Sequence, residues 1–213
     1  MKKEEPVSWE DFIKVVRAEL SKEKREYALF VSVRNFDKWN FIANAIQLKS
    51  VVCHSEWIQK IKDDKIKTVH ANGTKVIWDT LERYEKKVKK GKEVLYLGFV
   101  KLKKASDIDA MKLEAQSQIG YDYDRKQLIG FALHSFISWL SFPGAVIANI
   151  LSKKNNPFGS AKDLICSESV ARIIRAPKLA SGEPKYYVCK NIPKQNIMPE
   201  HLFKSDLIIN KYK

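Results

Sequence analysis

The sequence predicts an α+β fold, and three observations carry the prediction. Short runs of β-branched and aromatic residues alternate with longer stretches whose apolar residues recur at helical spacing. At 213 residues the chain is long enough for one well-buried domain and short for two. No stretch rich in Pro, Gly and Ser is long enough to be an interdomain linker, and no internal repeat is present. A single domain over 1–213 is expected, with an N-terminal helical extension over 1–26 and a core over 27–205.

In chain order, Ser8 is a plausible N-cap for an amphipathic helix in which Phe12, Val15, Val16 and Leu20 share a face. Tyr27 to Val33 (YALFVSV) reads as a strand, and FDKWNFIANAIQ, over 36–47, as a helix. A strand over Val51 to Gln59 follows, then a turn at Asp63-Asp64 and a strand over Ile66 to Ala71. DTLERYEKKVKK reads as helical, VLYLGFVKL as a strand, and Ala105 to Gln118 as a helix. After GYDYD comes an uncharged segment, Gln127 to Ser152; then LICSESVARIIRA as a helix, KYYVCKNI as a strand and MPEHLFKS as a short closing helix. Strands in clusters with helices on either side fit a small antiparallel sheet packed against helices.

Composition narrows the function classes. The formal net charge is +14, and lysine supplies most of it, in KKVKKGK (Lys86 to Lys92) and KLKK (Lys101 to Lys104). Arginine, the residue expected where phosphates or bases are gripped in fixed geometry, is scarce, so no specific nucleic-acid partner is expected. The lysines either keep a surface soluble or draw the protein to an anionic envelope surface. Three cysteines and four scattered histidines, with no CxxC, argue against a disulfide framework and a structural metal site, and no cofactor is expected. The uncharged segment is long enough to cross a bilayer, but Pro143-Gly144 breaks it, which favours two buried or pocket-lining helices over membrane contact. The N-terminus lacks a signal-peptide pattern, so the cytoplasm is the default compartment, with membrane association as the alternative.

VVCHSEWIQ places Cys53 beside His54, yet neighbours on a strand face opposite sides. A thiol activated by His54 must therefore come from elsewhere, and Cys53, like Cys189 in its strand, reads as packing. Cys166 shares a helical face with Val170 and Ile173, and a helix starting near it would stabilise a thiolate through its amides and dipole. Asp163 or Ser160 could cap the start, which leaves that boundary open.

A strand carrying HSEWI, then GYDYD, ICSESVA and IMPEHL, in that order, resembles the circularly permuted branch of the NlpC-type papain-like cysteine hydrolases, the group with YiiX-like proteins. The resemblance spans roughly Tyr27 to Ser205 and implies a permuted papain-like fold, a small sheet or partial barrel against helices. It implies Cys166 as nucleophile, His54 as general base, and the Cys166 amide as oxyanion donor. The acid that the family carries on the next strand is replaced here by His70 in TVHANG. His70 is therefore the leading third catalytic residue, with Glu56, Asn72 or water as rivals. An odd-length loop between the two strands would put His54, Glu56, His70 and Asn72 on one face, and an even-length loop would not. Glu56 is also read as a substrate-binding residue. The resemblance puts Tyr121 in the cleft with Asp122 beside it, and Tyr123 replaces Tyr121 if the motif is shifted. His134 and His201 are read as structural. The expected activity is cleavage or transfer at an amide or ester of a peptide, aminoacyl or lipid-linked substrate through a thioester. The rival is an inactive basic module that binds anionic membrane or nucleic acid. A metal-dependent hydrolase on His54, Glu56 and His70 lacks ligand spacing, so no metal is expected.

Overall fold

The computed structural model of the chain describes residues 8–35, 52, 54–60, 66–126, 163–188, 192 and 197–205. The expected helix over 36–47, Cys53, Cys189, His134 and the uncharged segment lie outside the described residues.

Five strands form one antiparallel sheet in the order β4-β3-β2-β1-β5. They are β1 (Tyr27–Asn35), β2 (His54–Lys60), β3 (Ile66–Ala71), β4 (Val76–Thr80) and β5 (Glu93–Lys101). With helices packed on it, the architecture is α+β. Alternation splits the strands' side chains between two cores. Leu29, Val31, Val33, Ile58, Leu95, Leu97 and Phe99 join helix α1 (Trp9–Leu20) through Trp9, Phe12, Val16 and Leu20. Ala28, Phe30, Trp57, Val69, Ala71 and Val100 face the other way, toward α3 (Asp107–Ser117) and α4 (Cys166–Arg175). Phe30 lies opposite Gly98 on β5. A Cβ on Gly98 would stand 1.7 Å from the Phe30 ring, so the bare glycine is what admits that ring to the core.

Helix α1 begins where its sequence indicates: Ser8 Oγ accepts the Asp11 N–H at 3.1 Å. The remaining helices among the described residues are α2 (Glu85–Lys89) and α5 (Pro199–Phe203). None of the described helices is long and apolar enough to cross a membrane.

Two elements differ from expectation. The helix expected from Asp79 begins later, because Val76–Thr80 is an edge strand followed by a 3-10 turn, Leu81–Tyr84, and then α2. Val76 is buried against the sheet while Trp78 is half-buried, a pattern too short for periodicity to detect. Over 185–188 the expected strand is irregular chain. Tyr186 is buried there, its hydroxyl donates to Asp107 Oδ2 at 2.5 Å and accepts the Lys103 N–H at 2.5 Å, and Lys185 pairs with Asp107 at 2.7 Å. Side-chain anchoring to α3 replaces a ladder. Burial, followed by the Asp107 carboxylate, pushes the Tyr186 phenol up to about 12.

Candidate active site

The site forms where β2 and β3 part. Their paired register runs from Lys60↔Ile66 to Trp57↔Val69, and continuing it by one pair sets Glu56 opposite His70. This is the register of an odd-length loop, the alternative that gathers His54, Glu56 and His70 on one face. His54 Nε2 lies 2.7 Å from Glu56 Oε1, and His70 Nδ1 lies 2.6 Å from the same oxygen. The two ring nitrogens are 3.0 Å apart, with the rings edge to face. An ionised carboxylate only accepts hydrogen bonds, so both nitrogens carry protons toward it. The 3.0 Å between them is then the separation of two donors meeting at one acceptor.

Cys166 arrives from the other face of the sheet. Helix α4 starts at Cys166 itself, after extended Ile165, with no side-chain cap. The first intrahelical bond of the turn runs from Ser169 N–H to Ile165 O at 2.9 Å, which leaves earlier amides free for other partners. One of them, Ser167 N–H, donates to the Cys166 sulfur, as does the Ser55 N–H on β2 beyond its paired stretch with β3. Cys166 is buried and its thiol is hydrogen-bonded to His54. With Nε2 committed to Glu56, Nδ1 is the His54 nitrogen left for the sulfur. The charges follow from these contacts. Burial alone would push the Cys166 thiol up, but the His54 charge and hydrogen bond and the two amides pull it below the ordinary thiol value. Burial would likewise lower His54, and Cys166 and Glu56 together raise it well above the ordinary imidazole value. Each group favours the charged form of the other.

Glu56 is fully buried, at 0% exposure. Burial would raise its carboxyl, but hydrogen bonds from His54 and then His70 hold it well below the ordinary carboxylate value. Glu56, expected to meet substrate, is buried with one carboxylate oxygen held between the two imidazoles. Burial is also the main reason that His70 is pushed below the ordinary imidazole value, toward its neutral form. His70 stands beside His54 as anticipated, but the acceptor shared by both is Glu56. Asn72 is committed elsewhere, since its Oδ1 accepts from Thr74 N–H at 3.0 Å, Thr74 Oγ1 at 2.6 Å and Lys75 N–H at 2.9 Å. It shapes the β3–β4 turn.

GYDYD ties that turn to the start of α4. Gly120, at φ +94°, donates its N–H to Val76 O at 2.9 Å, and Tyr123 N–H reaches Thr74 O at 2.8 Å. Leu164 N–H then bonds Asp122 O at 3.0 Å, two residues before Cys166. Asp122 thus contributes its backbone, while its side chain is exposed. Tyr121 is 38% exposed, and Tyr123 is the tyrosine beside the thiol: burial, then the Cys166 charge and Asp124, raise its phenol above the ordinary value. His201 Nδ1 accepts the Met198 N–H at 3.1 Å, a structural cap for α5.

Two residues at the site carried no sequence signal. Arg83 and Tyr84, in the 3-10 turn after β4, both donate to Glu56 Oε1, the Tyr84 hydroxyl at 2.5 Å. In LERYEKK they read as part of a solvated helix face, because pairing across 27 and 28 residues leaves no local spacing to detect.

His54, Glu56 and His70 offer three donor atoms within 4.8 Å of one another. Ligand atoms around a tetrahedral zinc, with bonds of about 2.0–2.1 Å, stand roughly 3.3 Å apart. Here they are 2.6, 2.7 and 3.0 Å apart, and the carboxylate oxygen is already held by a guanidinium and a phenol. The donor set fits a hydrogen-bonded cluster rather than a metal centre.

No protein-family model matches the chain, and no curated protein is significantly similar to it.

Proposed function

We propose that the protein is a cysteine-dependent hydrolase or acyl transferase built on a permuted papain-like plan, with Cys166 as nucleophile and His54 as its base and acid. One observation carries the reading: a buried thiol opens a helix, faces an imidazole and takes two backbone N–H donors, while a buried carboxylate backs that imidazole. The order of elements, histidine strand first and cysteine helix later, supports the permuted form.

In the reaction the Cys166 thiolate attacks the carbonyl carbon of an amide or ester, forming a C–S bond and an oxyanion. The Cys166 backbone amide at the start of α4 is the donor proposed for that oxyanion. Collapse breaks the bond to the leaving amine or alcohol, which takes its proton from the His54 imidazolium and leaves a thioester. His54 then removes a proton from water or an acceptor, which attacks the thioester and releases the acyl product and Cys166. Glu56 holds the His54 ring in one orientation and stabilises its charged form. Tyr123, beside the thiol, borders the path of the substrate. Peptide, aminoacyl and lipid-linked acyl groups all contain the required carbonyl, and the exposed lysines Lys86, Lys89, Lys90, Lys101, Lys103 and Lys104 suit an anionic carrier or surface.

Incubation with a panel of aminoacyl and acyl p-nitrophenyl esters and anilides tests the proposal. The expected result is turnover together with an acyl adduct on Cys166 in the intact mass, both lost in Cys166→Ala and unaffected by chelators. Turnover that survives in Cys166→Ala would contradict it.

A further inference from the structure

Glu56 is an unusual anion: all its hydrogen bonds run through one oxygen, and Oε2 is buried without a hydrogen-bond partner among the described residues. We propose that Arg83 and Tyr84 are positioning residues for the Cys166–His54 pair, anchoring the Glu56 carboxylate so that it stays a fixed anion facing His54 throughout the reaction. The inference rests on the cysteine-hydrolase reading and adds two residues to it.

The need for such an anchor follows from the chemistry. A buried carboxylate loses several kcal/mol of solvation in exchange for what surrounds it (order of magnitude). His54 offers Glu56 a positive charge only while it is protonated, and the reaction requires it to give that proton to the leaving group. His70 is pushed toward neutrality by its burial. Arg83 is then the permanent cation in contact with Glu56 among the described residues, and it does not titrate during the cycle. Without it, Glu56 would regain a proton whenever His54 lost one, and His54 would lose its acceptor.

The geometry around Arg83 holds it in that task. Its guanidinium pairs with Asp79 at the end of β4 and with Glu56 on β2. It also donates to the Tyr84 hydroxyl at 3.0 Å and lies 4.6 Å from the centre of that ring. Tyr84 passes its own hydrogen to Glu56. Burial, then the Glu56 charge, raises the Tyr84 phenol well above its ordinary value, so it remains a donor. The groups that face the pair are His54 and Glu56 on β2, His70 on β3, Asp79 on β4, Arg83 and Tyr84 in the turn, Cys166 on α4 and Tyr123 beside the sulfur. An unbroken line of contacts therefore runs from Asp79 through Arg83, Glu56 and His54 to the thiol.

The test is the rate of iodoacetamide labelling of Cys166 between pH 5.5 and 9.5, read by mass spectrometry on the full chain. Wild type is compared with Arg83→Met, Arg83→Lys and Tyr84→Phe, and melting temperatures are recorded alongside. Arg83→Met should slow labelling at pH 6 by about tenfold or more, with little change at pH 9.5, since one unit of displacement is a factor of ten. Arg83→Lys should recover part of the loss, and Tyr84→Phe should slow labelling at pH 6 roughly two- to fivefold, each hydrogen bond to a charged group being worth a modest net amount. A lowered melting temperature with an unmoved profile is the signature of a merely structural role and overturns the inference, as does a displacement toward lower pH. If Arg83→Met does not fold, Tyr84→Phe decides by the same criterion. A wild-type thiol that reacts only in the ordinary thiol range sinks the cysteine-hydrolase reading and this inference together. An acid-shifted wild-type profile that the variants leave in place sinks this inference alone.

Discussion

Helices α1 and α4 cover opposite faces of the same sheet, and they are built on different rules. Helix α1 has a serine cap that satisfies a free amide, acidic residues in its first turn and one apolar stripe against the strands. Helix α4 has no side-chain cap, and in its first turn Cys166, Ser167, Glu168 and Ser169 are all buried. Its two buried serine hydroxyls are individually matched: Ser167 Oγ donates to Ile197 O at 2.5 Å, and Ser169 Oγ to Gln118 Oε1 at 2.5 Å. A cap on α4 would compete for the Ser167 N–H that the thiol uses. The comparison teaches that the first helix is arranged to end cleanly in water, while the second forgoes its cap so that its end can hold charge.

Substitutions can break or sharpen this contrast. The largest effect is expected from Glu56→Gln, which keeps the volume but removes the anion that His54 faces. Cys166 labelling at pH 6 should fall about tenfold or more, one unit of displacement being tenfold. Stability should shift with pH as well. The Glu56 carboxyl is depressed in the fold below its ordinary 4.5, so its contribution is fully present above that value and is lost as pH falls through the folded value. Wild type should therefore lose stability as pH falls into the acid range, and Glu56→Gln should show a shallower acid dependence in urea titrations across pH.

Next in size is Gly98→Ala on β5. The added methyl would overlap the Phe30 ring, and overpacking of this kind costs about 1–3 kcal/mol. Chemical denaturation should report that loss, with the pH profile of Cys166 labelling unmoved. The smallest effect is expected from Ser8→Ala, about 1 kcal/mol through loss of the α1 cap, again with no change at the thiol. Were Ser8→Ala to alter Cys166 reactivity, the two helices would be coupled in a way that the contrast denies.

How much of this was legible in the sequence depends on how local the signal is. Helix α1 was readable because Ser8 and the apolar positions Phe12, Val15, Val16 and Leu20 lie in one short stretch. The edge strand Val76–Thr80 was not, because five residues carry too little periodicity, and the apparent helix beyond it drew the boundary inward. At the site, His54 could be placed on a strand and Cys166 at a helix start, but their pairing rests on the resemblance carried by HSEWI and ICSESVA in that order. The bond between Glu56 and both imidazoles depended on the β2–β3 register, which the KIKDDKIK linker left open. Arg83 and Tyr84 lay furthest from reach, since their partner is on a strand separated from them by two others' worth of chain and their own neighbours look like any charged surface turn. Tyr123 could be named only as the shifted alternative to Tyr121, because side-chain direction in GYDYD is set by bonds to Thr74, Val76 and Leu164 rather than by a regular element.

The most direct test of the central claim is site-resolved iodoacetamide labelling of wild type and His54→Ala across pH. The account predicts that Cys166, though buried, labels far faster than Cys53 and Cys189 below pH 7, and that His54→Ala abolishes the advantage. If Cys166 reacts no faster than the other two cysteines in wild type, or keeps its advantage without His54, the thiolate–imidazolium pair does not exist and the account fails.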